Sequence, residues 1–299
     1  MTGPHGIGNT RLLTAIAKHL MYRQGDPGGN GYVSSTGPIP SSRQVASVVV
    51  LTPEPTRWAD LTQAGGTVDS IAVDDSTWKY IVRDIVAVIR RPTEAFQADD
   101  AYSWLAFRRL LSENIPGSSL QLRTTDGNWI SAASLRYFES QAMLETLAKI
   151  DLGVPPILKL SEGEEVIPSS GQKALIVALI KLFRHSERGG TLFLIDEPES
   201  HLHPQYIAAL IAALHDTLSA TRSVAIIATH SPYVIREIER TGVFVLRKLQ
   251  DGKTEIAQPS LQTRGASIAD ISEYVFEEKR VPSTLLEQQL RLAIGNTEN

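Results

Sequence analysis

Thr191-Leu192-Phe193-Leu194-Ile195-Asp196-Glu197-Pro198 is the stretch on which the fold turns. Five residues without a charge run straight into two carboxylates and a proline. A strand apolar on both faces has no solvent side, so it belongs inside a sheet covered by helices above and below. Ser223 to Ala228 repeats the pattern, and Val45 to Thr52 is a third, β-branched run. Between and around them lie segments with helical spacing: Thr10 to Leu20, Ser103 to Leu111, Leu135 to Ile150, Gln172 to Phe183 and Pro204 to Leu218. Tyr80 to Ile89 suits either helix or strand, and Phe244 to Arg247 reads as one more short strand. Buried strands alternating with helices define an α/β fold with a mostly parallel sheet. The region between about 90 and 165 reads as an inserted lobe, mainly helical and irregular with a few small strands, within one domain spanning 1–299. Gln24 to Ser42 is a Gly-, Pro- and Ser-rich connection, and the tail from Gly265 reads as one or two helices.

Composition narrows the function. The chain has 299 residues, no Cys, and a formal net charge of -4. Thiol nucleophiles, disulfides and thiolate metal sites are excluded, and the charge balance argues against a uniformly basic nucleic-acid-binding surface. No apolar run is long enough to span a bilayer, and the N-terminus lacks the pattern of a signal peptide. A cytoplasmic protein is the default expectation.

Four motifs carry chemistry. In Gly3-Pro4-His5-Gly6-Ile7-Gly8-Asn9-Thr10-Arg11 the glycines have the spacing of a phosphate-binding loop opening a helix. Backbone amides and the helix dipole would cradle phosphates there, and the Thr10 hydroxyl would ligate Mg²⁺. A Gly-rich turn without nucleotide is the plainer alternative. Asp196 and Glu197 match a Walker B strand end, with Asp196 holding Mg²⁺ and Glu197 polarising the attacking water. The alternative is an acidic strand end capping the next helix. Ser169-Ser170-Gly171-Gln172 opens a helix and offers either an anion site or an ordinary N-cap. His230, after the strand ending at Ala228, is placed either to reach a γ-phosphate or to serve as a structural hydrogen bonder. The order of the four parts is more telling than any one of them.

In these residues the chain resembles ABC-type ATPases, in particular the soluble ATPases related to SMC, DNA-repair and OLD-type proteins and the ATP-binding subunits of bacterial anti-phage systems. The resemblance is strong over Ser161 to Arg247 and Gly3 to Leu13, and weak between them. It implies ATP and Mg²⁺ as ligands. It also implies two nucleotides sandwiched in a head-to-tail, ATP-dependent homodimer, with Ser169 and Gly171 as the signature reaching across the interface. Glu199-Ser200-His201-Leu202-His203 falls where such proteins place a D-loop, a better account of His201 and His203 than metal ligation, and His230 matches the switch histidine. The resemblance further implies an effector or nuclease subunit in trans, with DNA as a possible partner and no membrane.

Three departures stand out. Asn9 occupies the position of the P-loop lysine, and losing a charge-assisted hydrogen bond there costs roughly 1.5–3 kcal/mol. The glutamine of the Q-loop is not assignable, Gln97 being a candidate by order alone. The chain also begins at the P-loop, without the strand that the resemblance places ahead of it. The expectation is that Met1 is an internal methionine of a longer frame or that the gene is a degraded copy. Competing readings are a non-hydrolysing nucleotide-dependent interaction module, favoured by Asn9, and a transporter ATPase subunit, disfavoured by the loose signature and the absent Q-loop. Arg83, Arg90, Arg91, Arg108 and Arg109 form the main Arg concentration, read as a solvated face.

Overall fold

The computed structural model describes residues 9–22, 47–63, 66–90, 101–135, 141–186, 189–249, 251 and 253–276. Within them the order is α1 (Asn9–Tyr22), β1 (Ser47–Thr52), a 3-10 turn (Pro55–Trp58), α2 (Ala59–Gln63), β2 (Thr67–Ser70), α3 (Asp75–Ile89) and α4 (Ala101–Asn114). Next come β3 (Ser118–Arg123), β4 (Trp129–Ser131), α5 (Gln141–Ala148), β5 (Ile157–Leu160), β6 (Glu165–Val166), α6 (Ser170–His185) and β7 (Thr191–Asp196). The chain continues through α7 (Pro204–Thr221), β8 (Val224–Ala228), α8 (Pro232–Ile235), β9 (Val245–Lys248), β10 (Thr254–Ala257) and α9 (Ile268–Tyr274).

The central sheet has the order β2-β1-β7-β8, and every pair is parallel. The central strands β1 and β7 are apolar on both sides because both sides are covered. Val49, Leu51, Phe193 and Ile195 face a core shared with α3, α6 and α7. The alternate residues Val50, Leu192 and Leu194 face α1 through Leu13 and Ala17. Trp58, 1% exposed, fills that second cluster from the turn after β1. Trp58→Ala is expected to cost about 3–5 kcal/mol, read as a lower urea midpoint with an unchanged slope.

The edge strand β2 is tied down by charge. Lys181 of α6 lies 2.7 Å from both Asp69 and Asp84, Arg184 pairs with Asp84, and His185 Nε2 lies 2.9 Å from Asp69. Burial works to raise the Asp69 pKa, but the His185 hydrogen bond and the Lys181 charge win and hold it below the usual value.

The segment expected as a mainly helical lobe carries α4 and α5 and also a four-stranded antiparallel sheet, β4-β3-β5-β6. The helix expected from Leu135 to Ile150 is shorter, α5 ending at Ala148, with Ala132–Ser134 forming a separate turn. Tyr80 to Ile89 is helical. Asp74 caps α3 by accepting a hydrogen bond from the Thr77 amide at 2.6 Å. Gln97 and Arg91 lie outside the described residues.

Candidate functional site

Asp196 is the last residue of β7, and parallel strands present their carboxyl ends at one edge, where α/β folds build their sites. Thr10, in the first turn of α1, donates its hydroxyl to Asp196 Oδ1 at 3.0 Å across 186 residues of sequence. The two residues expected to hold Mg²⁺ are thus in direct contact. A hydroxyl and a carboxylate, with phosphate oxygens and water completing an octahedron, suit that hard cation. Asp196 is buried, and burial is the main reason its pKa is raised to about 6, against the opposing Thr10 hydrogen bond. Glu197 and Glu199 push it up further, while the Arg57 charge pulls it down. A desolvated carboxylate of this kind is stabilised by a cation, so the donor set fits the metal.

Asn9 is 4% exposed, and among the described residues neither its amide nitrogen nor its amide oxygen has a hydrogen-bond partner. Buried polar groups are normally paired, so an orphaned carboxamide at the start of a 14-residue helix marks a place where a ligand's polar atoms would complete the set. Gly3, Pro4, His5, Gly6, Ile7 and Gly8 lie outside the described residues, and Arg11 is exposed on α1.

Glu197 has φ +47, an uncommon conformation for a residue with a Cβ. Two hydrogen bonds hold it: its amide donates to the Ala228 carbonyl at 2.9 Å, and its carbonyl accepts from the Ser200 amide at 3.0 Å. The half-buried carboxylate therefore stands directly after Asp196 on a pinned backbone. Residues left in such conformations at strand ends are a common signature of functional sites.

Glu199 plays a part that sequence reasoning did not single out. Its Oε1 accepts from the Thr229 hydroxyl at 2.6 Å and from the His230 amide at 2.9 Å, bridging the loop after β7 to the end of β8. Burial is the main cause of its raised pKa, opposed by the Thr229 hydrogen bond, and its Oε2 is buried without a partner. The Thr229 partnership lies 30 residues away in sequence, which no local pattern reveals. His230 is thereby positioned through its backbone at the same edge as Asp196 and Glu197.

Ser169 caps α6. Its hydroxyl accepts from the Gln172 amide at 3.3 Å, and Gln172 Oε1 accepts from the Ser169 amide at 2.8 Å, a reciprocal capping box. Ser169 and Ser170 are exposed, while Gly171 packs under α7, where an added Cβ would meet the Tyr206 ring at 3.4 Å. These residues make no hydrogen bond to Thr10, Asp196 or Glu197. His203 caps α7 and sets its ring against Tyr206, and among the described residues no group of three His, Cys, Asp or Glu is placed to hold a metal. Of the Arg concentration, Arg83 stacks on Tyr80, and Arg109 reaches Glu113 and Asp216 at 3.8 Å.

A parallel sheet with a hydroxyl-bearing helix start against an acidic strand end resembles the arrangement at the nucleotide edge of P-loop NTPases. Residues 94–236, just under half the chain, match the family described as "AAA domain, putative AbiEii toxin, Type IV TA system". The match takes in the α6 start, the Asp196-Glu197 strand end and His230. The chain is 37% identical over 86 residues to Protein ea59 of Escherichia phage lambda, an alignment covering 29% of this chain and 16% of that protein. It is 33% identical over 93 residues to UvrABC system protein A of Brucella abortus, covering 31% of this chain and 9% of that protein. A solved SmcHead bound to the C-winged helix domain of ScpA superposes with a TM-score of 0.37 at 14% identity, covering 60% of this chain and 54% of that one. The chain thus spans only a small part of the curated relatives it matches.

Proposed function

We propose that this chain binds ATP with Mg²⁺ and hydrolyses it. The observation that carries the reading is the Thr10–Asp196 hydrogen bond, which joins the start of α1 to the acidic end of β7. The ion supplies charge for the phosphates and orients them. Thr10 and Asp196 would hold it, and Glu197 would accept a proton from the attacking water at its carboxylate. Glu199 holds the Thr229–His230 backbone at the same edge, from which the His230 side chain would reach the γ-phosphate. Ser169 and Ser170 are exposed at the start of α6, which suits a nucleotide carried by a second copy and a head-to-tail, ATP-dependent homodimer. In this reading residues 1–299 act as one ABC-type ATPase domain with an insertion at about 90–165. It works in the cytoplasm, driving an effector, nuclease or DNA-handling partner in trans, in a role in anti-phage defence. No helix among the described residues is long and apolar enough to cross a membrane.

The neutral, partnerless Asn9 favours a second reading, a nucleotide-dependent module that binds without hydrolysing. ATP turnover by the wild-type chain and by Asn9→Lys separates the two. The first reading expects measurable wild-type turnover, raised about 10–100-fold by the added charge-assisted contact. Turnover confined to Asn9→Lys would leave the natural chain as the binding module.

A further inference from the structure

We propose that Arg57 supplies the positive charge that Asn9 does not, its guanidinium engaging the phosphates of a nucleotide held at the start of α1. The proposal rests on the nucleotide reading of the site.

Topology brings Arg57 there. β1 is the parallel neighbour of β7, with Leu51 opposite Ile195, so the chain leaves β1 at the edge where Asp196 stands. It then turns at once through Pro55–Trp58. Trp58 is buried against Leu13 and Ala17 of α1 and against Leu192 and Leu194 of β7. Lys18 of α1 meets Asp60 at 2.8 Å just beyond. The residue before Trp58 is therefore carried by a turn clamped between α1 and the sheet. That turn lies on the far side of Asp196 from β8, where Glu199 and His230 meet.

Electrostatics agree with the placement. The charge of Arg57 acts on Asp196, against the burial that raises this carboxyl's pKa. Arg57 is also free to change partners. Its ion pair with Glu54 joins two side chains that are 57% and 53% exposed, an interaction worth little in water. A phosphate offers the planar guanidinium two parallel charge-assisted hydrogen bonds, a stronger match than one exposed carboxylate. Asn9, fully covered and neutral, can donate one hydrogen bond to a phosphate oxygen but cannot match its charge. The site would thus hold its cation on β1's turn instead of on the P-loop.

The test is equilibrium binding of ATP and ADP, each with Mg²⁺, to wild type, Arg57→Ala, Arg57→Lys, and Arg57→Ala combined with Asn9→Lys. Thermal melts of the ligand-free proteins verify folding. Expected is a loss of about 10–100-fold in ATP affinity for Arg57→Ala, a smaller loss for ADP, partial retention by Arg57→Lys, and recovery of most of the loss when Asn9→Lys is added. Affinity of Arg57→Ala equal to wild type overturns the proposal while leaving the nucleotide site intact. A loss that Asn9→Lys fails to restore in a folded protein overturns it too, since a structural role would not be rescued by a charge placed elsewhere. A wild-type chain that binds no nucleotide overturns both the proposal and the reading beneath it.

Discussion

Glu197→Gln should abolish turnover while leaving ATP bound. The substitution keeps side-chain shape and the hydrogen bonds of the main chain, so φ +47 and the contacts to Ala228 and Ser200 survive. What disappears is the capacity to take a proton from water. General-base catalysis contributes about 10²–10⁴-fold, and multiple-turnover hydrolysis should fall by that factor. ATP affinity should stay within a few-fold of wild type, since the carboxylate adds repulsion toward phosphates and no attraction. Single-turnover hydrolysis measured beside equilibrium binding separates the two effects. An unchanged rate would remove Glu197 from the chemistry and point to another group at the same edge, with Glu199 the next carboxylate along the chain. Glu199 is poorly suited to that task, because Thr229 and the His230 amide occupy its Oε1 and its Oε2 is buried. The two acids are thus divided by their partners: one stands pinned by its backbone and the other ties two loops together.

The parts of this fold that were legible in the sequence are those whose burial is uniform. β7 is buried along its whole length, so an uninterrupted apolar run announced it. β1 is buried over its last four residues, and α6 and α7 each bury a continuous apolar face, so their patterns were legible as well. The antiparallel sheet of the insertion was largely hidden, because β4 and β6 are only three and two residues long and partly exposed. α3 was ambiguous for a different reason. Its periodicity is blurred by buried residues on several sides, and the decisive signal was the Asp74 cap, a single side chain. At the site, residues that belong to one motif could be read together, as with Asp196 and Glu197. Residues that meet only through sheet order could not. The turn that carries Arg57 lies at the site's edge because β1 lies beside β7, and Glu199 finds Thr229 because β8 lies on the other side. Strand order is a property of the packed sheet, and no window of sequence contains it.

Asp196→Asn should stabilise the ligand-free protein and remove its response to Mg²⁺-ATP. The carboxyl's pKa is about 6 in the folded chain, against 3.8 for the ordinary group. A raised acid pKa means the folded state holds its proton more tightly than the unfolded state. Below pH 3.8 both states are protonated, and burying Asp196 costs nothing electrostatic. Between about 4 and 6 the unfolded state ionises first and stability falls with rising pH. Above 6 the full penalty is present, about 1–3 kcal/mol at roughly 1.4 kcal/mol per pH unit. Asparagine keeps an oxygen for the Thr10 hydroxyl and carries no charge, so the gain should appear in urea melts at pH 8 and vanish near pH 4. With saturating Mg²⁺-ATP the order should reverse. Wild type gains stability in proportion to the logarithm of ligand over dissociation constant, whereas the variant has lost its metal ligand and gains little. A pH-independent difference would mean that Asp196 is not a strained, desolvated carboxylate. Equal stabilisation of both proteins by Mg²⁺-ATP would mean that the ion is held elsewhere. The expected crossover follows from one arrangement: a carboxylate buried at a strand end is a liability to the empty fold and becomes an asset when a cation lies against it.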